Sequence, residues 1–174
     1  GGFAGPIPDE ELYLRATALA CFCPIMQWHA EPRGGQYGGM REENNDRSPW
    51  NLAERLNDRR VLELGISYAK LREGLRPYLF QEARHCVERG RPLMAHLCLD
   101  WPEDAKAWQV DDQFMLGREL LVAPIVEAGK TSRAVYLPRG AWRHYFTGEA
   151  FPGEQTIRAD ALLNTIPVFI KAQP

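Results

Sequence analysis

One segment limits the possible folds more than any other: a helical pattern that runs from about Asp58 to Arg89. Its apolar residues recur at intervals of three and four and share one stripe: Leu64, Tyr68, Leu71, Leu75, Leu79 and Cys86. This spacing predicts a long amphipathic α-helix. Gly90 follows at the position where glycine commonly ends a helix. The composition changes at the same point, so the predicted helix separates two halves of different character.

The first half of the chain predicts the order helix, strand, long loop, long helix. Asp9 has the position of an N-cap, and two glutamates follow it in the first turn of a predicted helix. A short apolar run from about Pro24 to Trp28 predicts a buried strand. A polar, glycine-rich stretch over residues 30–49 predicts a long loop of the kind that is usually functional or disordered. This order is typical of the end of a parallel α/β fold.

Short strand patterns fill the second half, and glycines separate them. They cover residues 93–99, 114–116, 120–123, 133–137, 142–146, 156–159 and 168–170. Short strands at regular spacing with glycine turns predict an antiparallel β-sandwich. The predicted fold class is therefore α/β followed by all-β.

The composition excludes several classes of function. The chain has 174 residues with 21 basic and 23 acidic side chains, and 45% of its residues are hydrophobic. It is too apolar to be disordered. Its formal net charge of −2 gives no electrostatic reason to bind nucleic acid or an anionic membrane. No apolar run approaches the roughly 18 residues of a membrane span.

The cysteines carry no sign of a metal site. Cys21, Cys23, Cys86 and Cys98 have neither CxxC spacing nor a Cys/His pattern, and we expect them to be reduced and buried. We therefore predict no metal and no cofactor. Reduced thiols favour a cytoplasmic location.

Among the histidines, His29 is the strongest candidate for a ligand contact. It ends the predicted strand and precedes the glycine-rich loop. Ligands of parallel α/β folds bind at the carboxyl ends of strands, where an imidazole can hydrogen-bond a polar substrate. From position alone, a structural role is favoured over a ligand role. His85 is expected on the surface of the long helix, and His96 and His144 are expected to be structural.

The paired acidic residues do not identify a general acid and a nucleophile. Glu10 and Glu11 are explained by the start of a helix. Glu42 and Glu43 lie in the polar loop, where solvation explains them. Asp111 and Asp112 precede a strand and could orient a turn.

Several motifs together resemble glycoside hydrolase family 31. In the first half they are GGF at 1–3, PDEELYLR at 8–15, FCPIMQWH at 22–29, RSPW at 47–50, YAKLR at 68–72 and LRPYL at 75–79. In the second half they are GRPLM at 90–94, DQFMLG at 112–117, LLVAP at 120–124, VYLP at 135–138 and IPVFI at 166–170. Each motif is weak alone, but this many in one order is specific, and together they span nearly the whole chain.

The resemblance implies a fold and an activity. Residues 1–90 are expected to form the C-terminal part of a (β/α)8 catalytic barrel, and residues 91–174 the proximal C-terminal β-sandwich. Family members are mostly retaining α-glycosidases of the α-glucosidase or α-xylosidase type. Their two catalytic aspartates lie upstream of the GGF motif, so no catalytic residue is expected in this chain, which should be inactive alone. His29 matches the histidine that hydrogen-bonds sugar hydroxyls, and Phe3 matches an aromatic residue that packs near the bound sugar.

The chain departs from the family pattern beside that histidine. Gln27 stands where arginine is common, Ala30 replaces the usual glycine, and the loop over residues 31–46 is longer than in many relatives. Gln27 cannot supply a positive charge. The resemblance therefore leaves open which α-linked sugar is bound.

The alternative function is a non-catalytic carbohydrate-binding or structural module. In that case the sandwich could offer Trp101, Trp108 and Trp142 as stacking platforms, although core packing explains tryptophans equally well. The partners predicted for the enzyme are an α-linked oligosaccharide or glycoside, together with the rest of the barrel. A chain without that remainder is expected to self-associate through residues 1–90 or to leave them poorly ordered.

Overall fold

The computed structural model describes residues 7–28 and 47–172. Three helices come first: α1 over Glu10–Cys21, α2 over Pro49–Arg55 and α3 over Arg59–Arg89. Eight strands follow: β1 Met94–Ala95, β2 Phe114–Leu116, β3 Leu120–Val122, β4 Ser132–Leu137, β5 Ala141–His144, β6 Ala150–Pro152, β7 Gln155–Asp160 and β8 Val168–Lys171. A short 3-10 helix, Leu97–Leu99, lies between β1 and β2. The predicted change from helices to short strands near Gly90 is confirmed.

The helices begin and end at the residues whose chemistry favours those positions. The Asp9 side chain accepts a hydrogen bond from the Leu12 amide at 2.8 Å, and the Asp58 side chain accepts one from the Arg60 amide at 2.9 Å. Each aspartate thus satisfies an amide that has no partner inside its helix. Gly90 ends α3 with a φ of +64°, a left-handed conformation that glycine adopts without strain.

The strands form two antiparallel sheets. The larger sheet has six strands in the order β1-β2-β3-β8-β5-β6, and the smaller one pairs β4 with β7. The sheets enclose a core to which Met115, Leu121 and Phe169 contribute from the large sheet, and Val135 and Leu137 from the small one. This is the predicted antiparallel sandwich.

The centre of the large sheet, formed by β2, β3 and the start of β8, is buried on both faces. Successive residues of a strand point to opposite faces, so Met115 and Leu121 enter the sandwich core while their neighbours point the other way. On that second face the sheet packs against side chains of α1 and α3 in a second core: Ala18, Cys21, Tyr68, Leu75, Leu79, Phe114, Leu116, Leu120, Val122 and Val168. The molecule therefore has three layers, with the six-stranded sheet in the middle.

Polar contacts also join α3 to the turn between β2 and β3. The Tyr78 hydroxyl donates to the Leu116 carbonyl at 2.7 Å and accepts from the Glu119 amide at 3.2 Å. Glu82 is 1% exposed and binds both the backbone amide and the guanidinium of Arg118, at 2.9 and 2.7 Å. The hydrogen bond from Arg118 holds the pKa of the Glu82 carboxyl below its usual range, against the effect of burial. Glu82 is therefore a buried ionised anchor for this turn.

Two predicted strands differ from the structure. Residues 24–28 form no strand and pair with no strand among the residues the structure describes, and Ile25 is 73% exposed. A parallel strand needs hydrogen-bonded neighbours, and the described residues supply none for this segment. The predicted strand over 93–99 is cut short at Ala95, because His96 Nδ1 accepts from the Cys98 amide at 3.2 Å and caps the 3-10 helix.

The cysteines are thiols, as predicted, although only two of them are buried. Cys21 and Cys86 are buried, whereas Cys23 and Cys98 are half-buried. Within residues 7–28 and 47–172, no helix combines the length and apolarity that crossing a bilayer requires.

A close approach between α2 and α3 depends on one glycine. Gly65 lies within α3, where a Cβ would come within 2.8 Å of Pro49 Cβ. Gly74 lies about two and a half turns further along the same helix, where a Cβ would have nothing within 4 Å. Alanine at position 65 would therefore test both steric contact and helix propensity, whereas alanine at position 74 would test helix propensity alone.

We predict opposite effects of the same substitution at these two positions. Gly65→Ala should lower the free energy of unfolding by about 1–3 kcal/mol, because the clash with Pro49 exceeds the gain in helix propensity. Gly74→Ala should raise it by about 0.5–1 kcal/mol through that propensity alone. Urea unfolding of both variants measures the difference. Equal stabilisation by both substitutions would show that α2 does not pack closely on α3.

Candidate functional site

The two predicted sugar-contacting residues, Phe3 and His29, lie outside the described residues, so their assignment stays a prediction. The loop over residues 31–46 and the glutamates at 42 and 43 lie outside them too. The structure does describe both flanks of that stretch. Residues 22–28 lead into His29, and residues 47–50 follow the loop.

A single arginine fixes the flank that leads to His29. Arg72, on α3, donates from Nη1 to the carbonyls of Cys21 at 3.0 Å and Cys23 at 2.5 Å. Its Nη2 donates to the Pro24 carbonyl at 2.8 Å. The planar guanidinium can serve several acceptors at once in fixed directions, which a lysine ammonium cannot do. Arg72 thus fixes the backbone as it leaves α1 and turns toward His29.

The thiols beside this arginine are not reactive groups. Burial raises the pKa of the Cys21 thiol to about 12, although the Arg72 guanidinium acts in the opposite direction. Burial also raises the pKa of Cys23. Both thiols are therefore protonated near neutral pH and are poor nucleophiles. Among the residues that the structure describes, no three His, Cys, Asp or Glu side chains are grouped so that they could hold a metal ion.

The flank that follows the loop is fixed on α1. The Tyr13 hydroxyl donates to the Arg47 carbonyl at 2.5 Å, and both residues are buried. Tyr13 belongs to a small core with Leu52 of α2 and Val61 of α3. The loop thus starts and ends on backbone that the three helices hold in place.

Large apolar side chains are exposed along both flanks. Ile25 is 73%, Trp50 62% and Trp28 38% exposed. Burying an apolar side chain lowers the free energy, so several large apolar side chains left exposed together mark a surface that a further protein segment or a ligand can cover.

The remaining histidines have structural roles in this geometry. His96 caps the 3-10 helix, as described above. His144 accepts a hydrogen bond from the Thr147 amide at 3.2 Å, and its ring meets Phe169 edge-on at 5.2 Å. Burial lowers the pKa of His144, so its imidazole is neutral near neutral pH. His85 is half-buried on α3, rather than fully on the surface as predicted.

Three side chains of the paired acidic residues are engaged in structural contacts. Glu10 pairs with Arg60 at 2.7 Å, and Glu11 accepts from the Gly129 amide at 2.9 Å. Asp112 pairs with Arg133 at 2.5 Å. Glu42 and Glu43 lie outside the described residues.

Family models account for nearly the whole chain. The TIM-barrel domain of glycosyl hydrolases family 31 matches residues 1–82, and the C-terminal domain of the same family matches residues 90–173. The chain belongs to glycosyl hydrolase family 31. The predicted family is confirmed, and so is the predicted fold of a barrel end followed by a β-sandwich.

Several family 31 proteins are similar along the full length of the chain. It is 42% identical to a 1,3-alpha-isomaltosidase from Kribbella flavida over 98% of the chain, and 38% identical to an isomaltosyltransferase from Sporosarcina globispora over 98% of the chain. The solved structure of a cycloalternan-degrading enzyme from Trueperella pyogenes, in complex with a covalent intermediate, superimposes with a TM-score of 0.90 at 37% identity over 99% of the chain.

The family 31 chain described here spans only part of these relatives. It covers 23% of the Kribbella protein, 15% of the Sporosarcina protein and 23% of the Trueperella chain. The exposed flanks described above lie in the part that matches the family's TIM-barrel domain.

The contacts of Arg72 were not predicted from the sequence, although this residue lies in the YAKLR motif. The motif places Arg72 one helical turn after Tyr68, whose carbonyl accepts a hydrogen bond from the Cys21 thiol at 3.4 Å. An arginine beside an apolar stripe is ordinarily solvated, and only the fold shows which carbonyls it meets. A sequence signal could have been its position within that family motif.

We predict that Arg72 contributes far more to stability than an arginine one turn away. Arg72→Ala should lower the free energy of unfolding by about 2–3 kcal/mol, because charged hydrogen bonds to three carbonyls are lost. Arg76→Ala is the matched control: this side chain is 76% exposed and pairs with Glu73, which is itself 67% exposed, so its loss should cost less than about 0.5 kcal/mol. Urea unfolding compares the two variants. Equal effects would contradict the anchoring role of Arg72.

Proposed function

We propose that this chain is the C-terminal part of a retaining α-glycosidase that hydrolyses α-linked oligosaccharides. In this proposal residues 1–90 complete the catalytic (β/α)8 barrel and residues 91–174 form the proximal C-terminal sandwich. The nucleophile and the general acid/base belong to the portion of the protein that the longer relatives carry before this segment. The chain then supplies substrate contacts and the packing that supports them.

One observation carries this proposal: the 42% identity to a 1,3-alpha-isomaltosidase along 98% of the chain. A structural relative with a TM-score of 0.90 was solved with a covalent intermediate, which supports the retaining course of the reaction. Other structures of these relatives contain isomaltose or cycloalternan. We therefore narrow the substrate from α-glucosides or α-xylosides in general to oligosaccharides that contain isomaltosyl units.

The proposed chemistry assigns distinct roles to the residues of this chain. Retaining hydrolysis uses two carboxylates about 5–5.5 Å apart, and hydrogen bonds to sugar hydroxyls strengthen as the oxocarbenium-like transition state forms. His29 donates or accepts such a bond at the sugar being cleaved, and Phe3 packs against that sugar. Arg72 is a positioning residue, because it fixes the backbone from which the His29 segment extends. Gln27 is neutral, so the site has no positive charge at that position.

The proposed setting of the enzyme follows from the same features. The partner of residues 1–90 is the rest of the barrel, which would cover the exposed side chains near Ile25 and Trp50. A cytoplasmic location is supported by the thiol state of the cysteines. No cofactor is needed for hydrolysis by two carboxylates.

We predict that His29→Ala in the whole protein lowers kcat/KM for isomaltosyl substrates by about 100-fold, since a hydrogen bond that strengthens in the transition state is lost. His85→Ala on α3 is the matched control and should change kcat/KM by less than about twofold, because His85 is not among the proposed substrate contacts. Sugar release is followed with the oligosaccharide and with 4-nitrophenyl α-glucoside.

Two results would contradict this proposal. Unchanged kcat/KM in the His29→Ala protein would remove the histidine from the site. Clear turnover of 4-nitrophenyl α-glucoside by the 174-residue chain alone would show that the two carboxylates lie within it.

A further inference from the structure

A pocket of about 370 Å³ opens at one end of the sandwich, where three connections meet. Residues 100–105 enter it from the segment after the 3-10 helix, Arg139 from the turn between β4 and β5, and Glu154 from the turn between β6 and β7. Loops at one end of a rigid sandwich are common positions for binding sites.

The base of this pocket is rigid. Trp101 is 7% exposed, and its indole N–H donates to the Arg139 carbonyl at 3.0 Å. Its ring packs against Trp142, which is 1% exposed, with the ring centroids 5.8 Å apart. Both tryptophans are therefore core residues, and neither offers the stacking platform that the sequence allowed.

A second contact closes the side of the pocket. The Tyr136 hydroxyl donates to Asp104 Oδ2 at 2.5 Å, while the amides of Lys106 and Ala107 donate to Oδ1. Burial and the hydrogen bond to Asp104 raise the pKa of Tyr136 to about 12, so this hydroxyl keeps its proton. Asp104 is thus committed to the structure and is not available to a ligand.

Three charged side chains at the rim are not engaged in structural contacts of this kind. Glu103, Arg139 and Glu154 are exposed, and within residues 7–28 and 47–172 none of their side chains makes an ion pair or a hydrogen bond. Glu154 adopts a φ of +59°, a left-handed conformation that is uncommon for residues other than glycine. The rim therefore offers two carboxylates that accept hydrogen bonds and one guanidinium that donates them.

The aromatic ring of Trp108 lies beside the rim and is fixed by a hydrogen bond. Trp108 is 60% exposed, and its indole N–H donates to the carbonyl of Pro102, a residue that lines the pocket, at 2.8 Å. The hydrogen bond fixes the ring while its face stays in contact with water. A fixed, exposed indole beside hydrogen-bonding groups suits a ligand that has both an apolar face and many hydroxyls.

We propose that this pocket, with Trp108 at its edge, binds a neutral α-linked oligosaccharide. Sugar hydroxyls would donate to Glu103 and Glu154 and accept from Arg139, and the C–H face of a sugar ring would stack on Trp108. The identity of the sugar rests on the proposed function, whereas the pocket and its groups do not.

Isomaltotriose titrated into the 174-residue chain tests this proposal, with tryptophan fluorescence and the indole N–H signals in NMR spectra as readouts. The wild-type chain should show saturable binding with a shift of the Trp108 indole signal. Trp108→Ala should weaken binding by about tenfold or more. Phe146→Ala is the matched control, because Phe146 is a 42% exposed aromatic of the sandwich that does not line the pocket. That variant should bind as the wild type does.

Glu154→Gln and Arg139→Ala provide independent variants of the rim, and each should weaken binding about threefold or more. Unfolding temperatures equal to that of the wild type show that each variant is folded. The proposal is overturned by absence of saturable binding to the wild type, by unchanged binding in Trp108→Ala, or by equal loss in Trp108→Ala and Phe146→Ala. It is also overturned if calcium shifts the Trp108 signal and the sugar does not.

The outcome of this binding test is independent of the outcome of the activity test on the whole protein. The titration measures binding without cleavage, so loss of turnover in the whole protein leaves the binding result intact. Absence of binding at Trp108 in an otherwise active enzyme refutes only the pocket.

Discussion

The burial of the central strands of the six-stranded sheet on both faces is the constraint on which the rest of this structure depends. The face with Met115 and Phe169 packs within the sandwich, and the face with Leu116 and Val168 packs against α1 and α3. Removing either neighbouring layer would expose a continuous apolar surface to water, at a cost of about 25 cal/mol for each Å². The helical half and the sandwich are therefore parts of one packed body, although they match two domains of the family.

Helix α3 links the buried sheet to the candidate site. Its apolar stripe covers the sheet, while polar residues on its flanks bind other segments: Arg72 binds the backbone leading to His29, and Tyr78 and Glu82 bind the turn between β2 and β3. A shift of the sheet relative to the barrel end would therefore move α3 and the segment before His29 together. In the proposed enzyme the sandwich thus acts as a support for the substrate-binding side of the barrel.

The sequence predicted those elements whose signals are local. The stripe of α3 recurs every turn, and glycines bound most of the strands, so their positions follow from residues close together in the chain. Strand β6 was missed because Phe151 is its only large apolar residue. The strand over residues 24–28 was wrong because strand formation needs neighbours, and sequence periodicity does not supply them. The pocket beside Trp108 could not be predicted, since Glu103, Arg139 and Glu154 meet only in the fold.

Native-state hydrogen exchange of the chain tests the central claim most directly, because it compares the stability of the two halves within one molecule. If α3 and the central strands form one body, amides of α3 and of β3 and β8 should open with free energies that agree within about 1 kcal/mol. A sandwich that keeps its protection while α3 exchanges at a much lower free energy would contradict the account, because the sheet would then hold its core without the helical layer.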